Sequence, residues 1–182
     1  MEIKKLNTLN RETFLTPEMY INACDAIAED IKQIVLNMNI DINEIGLLGI
    51  ARGGLPLMVG VSHRTGIRDC FSIQIKMNKS DNKDDYGIAH YINGNISIKK
   101  YYFIFEDIIY KGQSINLLMN ILNNKANDVL GIYSIVQDSG FAENNVFSYN
   151  QSLVKSSYLL PKDDWVYFFW EKIGRASCRE RV

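Results

Sequence analysis

Apolar residues recur at spacings of three and four through Tyr20, Ala23, Ile27, Ile31, Ile34 and Met38, the period of one face of a helix. Thr16 and Pro17 stand just before them, a hydroxyl cap followed by a proline suited to the first helical position. The spacing therefore predicts an amphipathic helix from Pro17 to about Met38. Glu44 to Ile50 is a short apolar run ending in Ala51-Arg52-Gly53-Gly54, a pattern for a buried strand feeding a tight loop. A helix is expected over Leu55 to Thr65, closed by Gly66. Cys70 to Lys76 alternates apolar and polar positions, as a strand with one buried face does. Tyr101 to Phe105 is wholly apolar or aromatic, as suits a central parallel strand. A loop over Glu106–Gln113 follows, then a helix from Ser114 to about Asn123 with Ile115, Leu118, Met119 and Leu122 inward. Val129 to Val136 reads as another buried strand, and the stretch Tyr158 to Trp170 is rich in aromatics. Between the strands, Met77 to Lys100 is polar and long for a connection, which predicts a functional loop. Strands and helices alternate, so the fold class predicted is α/β with a mostly parallel central sheet flanked by helices.

Composition narrows the field. A chain of 182 residues, 47% apolar and 23% charged, suits one domain with a sizeable core. The formal charge of −1 argues against a polybasic nucleic-acid binder. No apolar run approaches the ~18 residues of a membrane helix, and no secretory h-region follows the early lysines. A cytoplasmic protein without membrane or nucleic-acid partners is expected. The ten residues 173–182, IGRASCRERV, read as the translation of a sequencing-adapter oligonucleotide and are set aside as foreign. The native domain is then expected over 1–172, with its natural end elsewhere. Without those three Arg and one Glu, 17 basic and 20 acidic residues remain, a net charge of −3. Cys24 and Cys70 also remain, with no metal-ligand spacing, and are expected to be reduced and buried.

Candidate chemistry lies where strands end, because ligands of parallel α/β sheets bind beyond the carboxyl ends. In Ala51-Arg52-Gly53-Gly54, paired glycines let backbone amides approach an anion and Arg52 adds a bidentate donor. An ordinary glycine turn with a surface arginine explains the same residues. In Phe105-Glu106-Asp107-Ile108-Ile109-Tyr110-Lys111-Gly112-Gln113-Ser114, two carboxylates follow a hydrophobic strand and a short loop opens a helix. The loop amides, helix N-terminus, Ser114 hydroxyl and Lys111 suit a phosphate. Glu106 and Asp107 suit sugar hydroxyls or a magnesium ion. The alternative is a solvated acidic turn with a helix cap, weaker because carboxylates are unusual at the end of a buried central strand. No G-x-G-x-x-G or G-x-x-x-x-G-K-[ST] is present, which excludes the dinucleotide-binding and P-loop fingerprints.

These residues resemble type I phosphoribosyltransferases. FIFEDIIYKGQS is similar to that family's strand, acidic pair and phosphate loop, and Gly49–Gly54 resembles its pyrophosphate loop. Pro161 to Glu171, with Trp165-Val166 and Trp170-Glu171, resembles the base-binding hood of the bacterial xanthine-guanine branch, placed here at about 137–171. The resemblance spans roughly residues 17–171. It implies transfer of a phosphoribosyl group from 5-phosphoribosyl 1-diphosphate to a 6-oxopurine of the guanine, xanthine or hypoxanthine type, with Mg2+, in a homodimer or homotetramer. It implies that Glu106 and Asp107 grip the ribose and serve as metal ligands, with Tyr110 in the position of a catalytic aspartate. Lys111, Gly112, Gln113 and Ser114 would hold the 5-phosphate, and Arg52, Gly53 and Gly54 the pyrophosphate. Trp165 would stack on the base and Val166 present backbone groups to it. A cis peptide is expected at Ala51–Arg52, and closure of the 77–100 loop over the site. Three positions depart from the pattern: Tyr110 replaces the aspartate that assists the purine ring nitrogen, Lys111 replaces the threonine that follows it, and Gln137 falls where the related branch reads the 6-oxygen with a lysine. These departures motivate an alternative, a nucleotide-binding or regulatory protein that keeps the fold without turnover. His63 and His90 have no metal spacing, Met38, Met58 and Met119 are expected as core filler, and Lys76, Lys79 and Lys83 as a solvated face.

Overall fold

The computed structural model describes residues 2–76, 88–93, 99–123, 128–141, 150–162 and 164–171. Lys79 and Lys83, most of the 77–100 loop and the whole of 173–182 lie outside the described residues. The strands are β1 (Lys4–Lys5), β2 (Glu12–Leu15), β3 (Ile45–Ala51), β4 (Cys70–Lys76), β5 (Ile88–Asn93), β6 (Tyr101–Ile109), β7 (Asp128–Asp138), β8 (Val154–Leu160) and β9 (Trp165–Phe168). The helices are α1 (Pro17–Met38), α2 (Gly54–Thr65) and α3 (Gln113–Asn123). Helix α1 begins where the cap predicts, with the Thr16 side chain accepting from the Met19 amide at 3.2 Å. Its buried stripe is Ala23, Cys24, Ile27, Ala28 and Ile31.

Seven strands form one sheet in the order β1-β8-β7-β6-β3-β4-β5, parallel throughout except where β5 runs antiparallel to β4. Alternation along β6 sorts its aromatic run between two cores. Phe103 and Phe105 join Ile27, Ile31, Leu57 and Val61 on the α1–α2 side. Tyr102 and Ile104 join Ile115, Leu118 and Leu122 on the α3 side. Each such side chain contributes about 1.5–3 kcal/mol by leaving water, and the doubly covered sheet holds the carboxyl ends of β3, β6 and β7 side by side.

Several elements differ from expectation. Strand β6 continues to Ile109, because Glu106, Ile108 and Ile109 keep pairing with Ser134, Val136 and Gln137 of β7. The acidic pair therefore lies on a strand, not in a loop. Part of the long polar connection is strand β5, registered against β4. Within 137–171, β8 belongs to the main sheet, and β9 pairs in parallel with β2 in a separate two-stranded sheet. Met58 and Met119 are buried but Met38 is exposed at the last turn of α1, where the helix has run past the core. Cys24 is buried, whereas Cys70, at the first position of β4, is half-exposed. His63 is exposed near the end of α2. Among the described residues no helix is long and apolar enough to cross a membrane.

Candidate active site

The turn after β3 contains a cis peptide at Ala51–Arg52. It lies so close to β6 that a Cβ on Gly53 would overlap the Asp107 carboxylate, and one on Gly54 would overlap the carbonyl oxygen of Phe105. Glycines are required here by close approach, and that approach brings the β3–α2 turn and the acidic pair into one site.

Glu106 and Asp107 are half-buried. The Ile108 amide donates to Asp107 Oδ1 at 2.8 Å, fixing that carboxyl over the turn. Burial pushes the Glu106 carboxyl well above the usual carboxylate range, and the neighbouring Asp107 charge and hydrogen bond push it further. Burial also raises Asp107, against the hydrogen bond from Ile108, and the Glu171 charge adds to the rise. Two carboxyls held reluctant to ionise await a cation or hydroxyl donors. Glu171 thus reaches the site from the end of the β9 segment, a residue that the sequence marks only through the Trp170-Glu171 pair. It also receives the Phe168 amide at 3.1 Å. Among the described residues no group of three or more His, Cys, Asp or Glu is arranged to hold a metal. A pair of carboxylates instead fits magnesium shared with substrate phosphates.

A pocket of about 180 Å³ opens beside the pair, lined by Glu106 and residues 108–115. Its floor is the first turn of α3, where the Asn116 amide donates to Gly112 O at 2.9 Å. Gly112 has φ +66°, a left-handed conformation that turns the loop into the helix. Gly112→Ala is expected to cost about 1 kcal/mol, because a Cβ disfavours that region, and chemical denaturation would read it. Gln113 and Ser114 line the helix-terminal side, while Tyr110 and Lys111 are exposed at the mouth, with Lys111 Nζ 5.7 Å from the Tyr110 ring centre.

Gln137 is next to last on β7, opposite Ile109 in register, and Ser156 Oγ lies 3.2 Å from its carboxamide oxygen. Trp165 and Val166 stand on the small β2–β9 sheet. The Val166 side chain is buried in the main core, which leaves its backbone as the part available to a ligand. Trp165 points outward, edge-on to Tyr167 at 6.4 Å, and is absent from the lining of the phosphate-sized pocket. The structure thus gathers Gly53, Gly54, Glu106, Asp107 and residues 110–114 closely, sets Gln137 on the next strand, and keeps Trp165 on a separate element.

The family model for the phosphoribosyl transferase domain matches residues 18–170. The chain belongs to the phosphoribosyltransferase family. Solved structures share its type I phosphoribosyltransferase fold at low identity. A purine phosphoribosyltransferase from Pyrococcus horikoshii is 19% identical, with TM-score 0.65, over 88% of this chain and 94% of that one. The xanthine-guanine-hypoxanthine phosphoribosyltransferase of Helicobacter pylori is 16% identical, with TM-score 0.64, over 93% and 98%. A hypothetical protein from Neisseria gonorrhoeae with bound ppGpp is 12% identical, with TM-score 0.68, over 96% and 100%. No curated protein matches the chain. Asp107 on β6 abuts the β3–α2 turn at Gly53 and stands beside the residues that line the pocket at the start of α3.

Proposed function

We propose that this phosphoribosyltransferase moves a phosphoribosyl group from 5-phosphoribosyl 1-diphosphate to a purine base. The observation that carries the reading is the contact of Asp107 with the Gly53 turn, one residue from the pocket at the start of α3. A donor with a phosphate at each end of a ribose needs two anion sites flanking hydroxyl acceptors, and that spacing is supplied here. Gly112, Gln113, Ser114 and Lys111 hold the 5-phosphate through backbone amides and an ammonium. Arg52, Gly53 and Gly54 face the diphosphate, and Glu106 and Asp107 accept from the ribose hydroxyls. Glu106 and Asp107 would hold magnesium shared with the diphosphate, where it would neutralise charge on the leaving group. A base nitrogen bonds to the anomeric carbon as the carbon–oxygen bond to the diphosphate breaks; pyrophosphate leaves with the bonding pair and the base's N–H proton passes to water. The paired carboxylates lie beside the positive charge that develops on the sugar. Trp165 stacks on the base and the Val166 backbone reads its edge. The soluble domain 1–172, the cytoplasmic compartment and a homodimer or homotetramer belong to the same proposal.

The test is pyrophosphate release with magnesium, donor and a panel of guanine, xanthine, hypoxanthine, adenine, orotate and uracil. Release with a purine is expected, and silence from folded protein that binds the donor would sink the transferase reading. Gly53→Ala is expected to weaken donor binding by about tenfold, since its methyl group must displace the Asp107 carboxylate; one lost charged hydrogen bond is of that size. Titration calorimetry would measure it.

A second reading is a nucleotide-binding protein without turnover. Tyr110, exposed and paired with Lys111, favours it, because a phenol is a poor base at neutral pH. The Neisseria neighbour with bound ppGpp lends it support. Tyr110→Asp separates the two: a large gain in rate marks a missing base in an enzyme, and no gain favours the binding protein.

A further inference from the structure

We infer that Gln137 presents a hydrogen-bond acceptor to the base, so that the preferred base carries an amino group, as a 6-aminopurine does, on the edge facing β7. The inference rests on the phosphoribosyl-transfer reading and departs from the 6-oxopurine class that the family resemblance implies.

The argument is a count of protons. Ser134 Oγ is 2.9 Å from Val136 O, Ser134 Oγ and Ser156 Oγ are 2.6 Å apart, and Ser156 Oγ is 3.2 Å from the Gln137 carboxamide. Ser134 and Ser156 are both buried, so water does not complete the set. Two hydroxyls supply two protons for three contacts. At 2.6 Å the two serine oxygens require a proton between them. If Ser134 donates to Val136 O, the Ser156 proton is the one on that short line, and the third contact must take its proton from Gln137. A carboxamide exchanges its ends by a half-turn. With Nε2 towards Ser156, the chain Gln137 to Ser156 to Ser134 to Val136 O gives every contact one proton. With Oε1 towards Ser156, one contact is left as two facing lone pairs.

The satisfied arrangement turns Oε1 away from the serines, at the carboxyl end of β7 beside Ile109 and one residue from Tyr110. An acceptor there pairs with an amino group and opposes a carbonyl oxygen. The next residue points the same way chemically: Asp138 is buried, and its Oδ2 has no hydrogen-bond partner. It lies on the other face of the strand and makes no direct contact on this edge. Gln137, next to last on β7, thus offers an acceptor where a reader of a 6-oxo group needs a donor.

Adenosine 5′-monophosphate and inosine 5′-monophosphate differ at this edge and share everything else, so their dissociation constants for the intact chain test the idea. The adenosine nucleotide is expected to bind about tenfold or more tightly, the cost of one mismatched buried pair. Gln137→Lys should reverse the preference, Gln137→Glu should keep it, and Ser156→Ala should narrow it by freeing the carboxamide to turn. Tighter or equal binding of the inosine nucleotide by the unsubstituted chain, or a ratio unmoved by Gln137→Lys, overturns the inference. So does binding of the donor alone with neither nucleotide, which leaves phosphoribosyl transfer standing. If donor and nucleotides all fail to bind, the phosphoribosyl reading fails with it.

Discussion

Asp107→Asn should lower affinity for 5-phosphoribosyl 1-diphosphate by roughly 100-fold, about 3 kcal/mol, while raising the thermal stability of the ligand-free protein. On the phosphoribosyl-transfer proposal one carboxylate has two jobs: it would accept from ribose hydroxyls, and it abuts the Gly53 turn, which would face the diphosphate. Charged hydrogen bonds are worth about 1.5–3 kcal/mol each, and two of them make up the expected loss. The amide is nearly isosteric and keeps an oxygen for the Ile108 amide, so the local backbone has no reason to move. The gain in stability follows from the raised carboxyls of Glu106 and Asp107. A carboxyl whose folded pKa lies above its unfolded value contributes stability below the unfolded pKa and loses it as pH rises through the folded value. At neutral pH the ligand-free protein therefore carries the cost of burying two adjacent carboxyls whose charged forms are disfavoured. Removing one relieves it, and a rise in Tm of about 2–4 °C corresponds to about 1 kcal/mol in a chain of this size. Below about pH 4 both carboxyls are protonated in either state and the gain should vanish. Calorimetric titration and melting curves across pH read both effects. A variant that binds the donor as well as the parent does would remove Asp107 from the ribose site, and an unchanged Tm at pH 7 would remove the electrostatic cost.

Much of this was legible because the signals are local. Pro17–Met38 carries its cap and its apolar stripe within one segment, and the structure returns those bounds. Cys70–Lys76 alternates without a break and is likewise returned unchanged. Positions set by pairing partners distant in sequence were not legible. Nothing in EDII announces that β6 continues, since Ser134, Val136 and Gln137 of β7 supply the ladder that extends it. The strand Glu12–Leu15 exists because Trp165–Phe168 pairs with it across the whole chain, and four residues alone are too short to show a period. In the site, the glycines and carboxylates stood out by type, but their contact did not. The nearness of Gly53 to Asp107 depends on β3 and β6 being neighbours in the sheet. Glu171 acts on Asp107 from the far end of the chain, and Ser134 and Ser156 look like any strand serines until β7 and β8 are paired.

Asp30→Ala is expected to destabilise the fold by about 2–3 kcal/mol. Asp30 sits on α1 three residues after Ile27, at the edge of the buried stripe, where it ties the helix to two strands. Its Oδ2 accepts from the Tyr133 hydroxyl of β7 at 2.6 Å, and both oxygens accept from Lys155 Nζ of β8 at 2.9 and 2.7 Å. Removing one member strands the others. Tyr133 is buried and its hydroxyl loses the Asp30 acceptor, while an ammonium loses its counter-charge. Breaking a fully buried pair costs about 3–5 kcal/mol; the lower figure here reflects a Lys155 side chain that is 35% exposed. The expected fall in Tm is about 5–10 °C. Burial alone would raise the Asp30 carboxyl, but the hydrogen bonds from Lys155 and Tyr133 outweigh it and hold the group below its usual range. A depressed carboxyl contributes stability above its unfolded pKa and loses it as pH falls through the folded value. The melting curves of parent and variant should therefore converge only in acid, below about pH 4. Tyr133→Phe, which removes one bond and leaves the ion pair, should cost about 1 kcal/mol. The double variant Asp30→Leu with Lys155→Met should lose less than the sum of its single changes, because neither partner is left unpaired. Additive losses in that pair would show that Asp30 and Lys155 act separately and that α1 is held to the sheet by its apolar stripe alone.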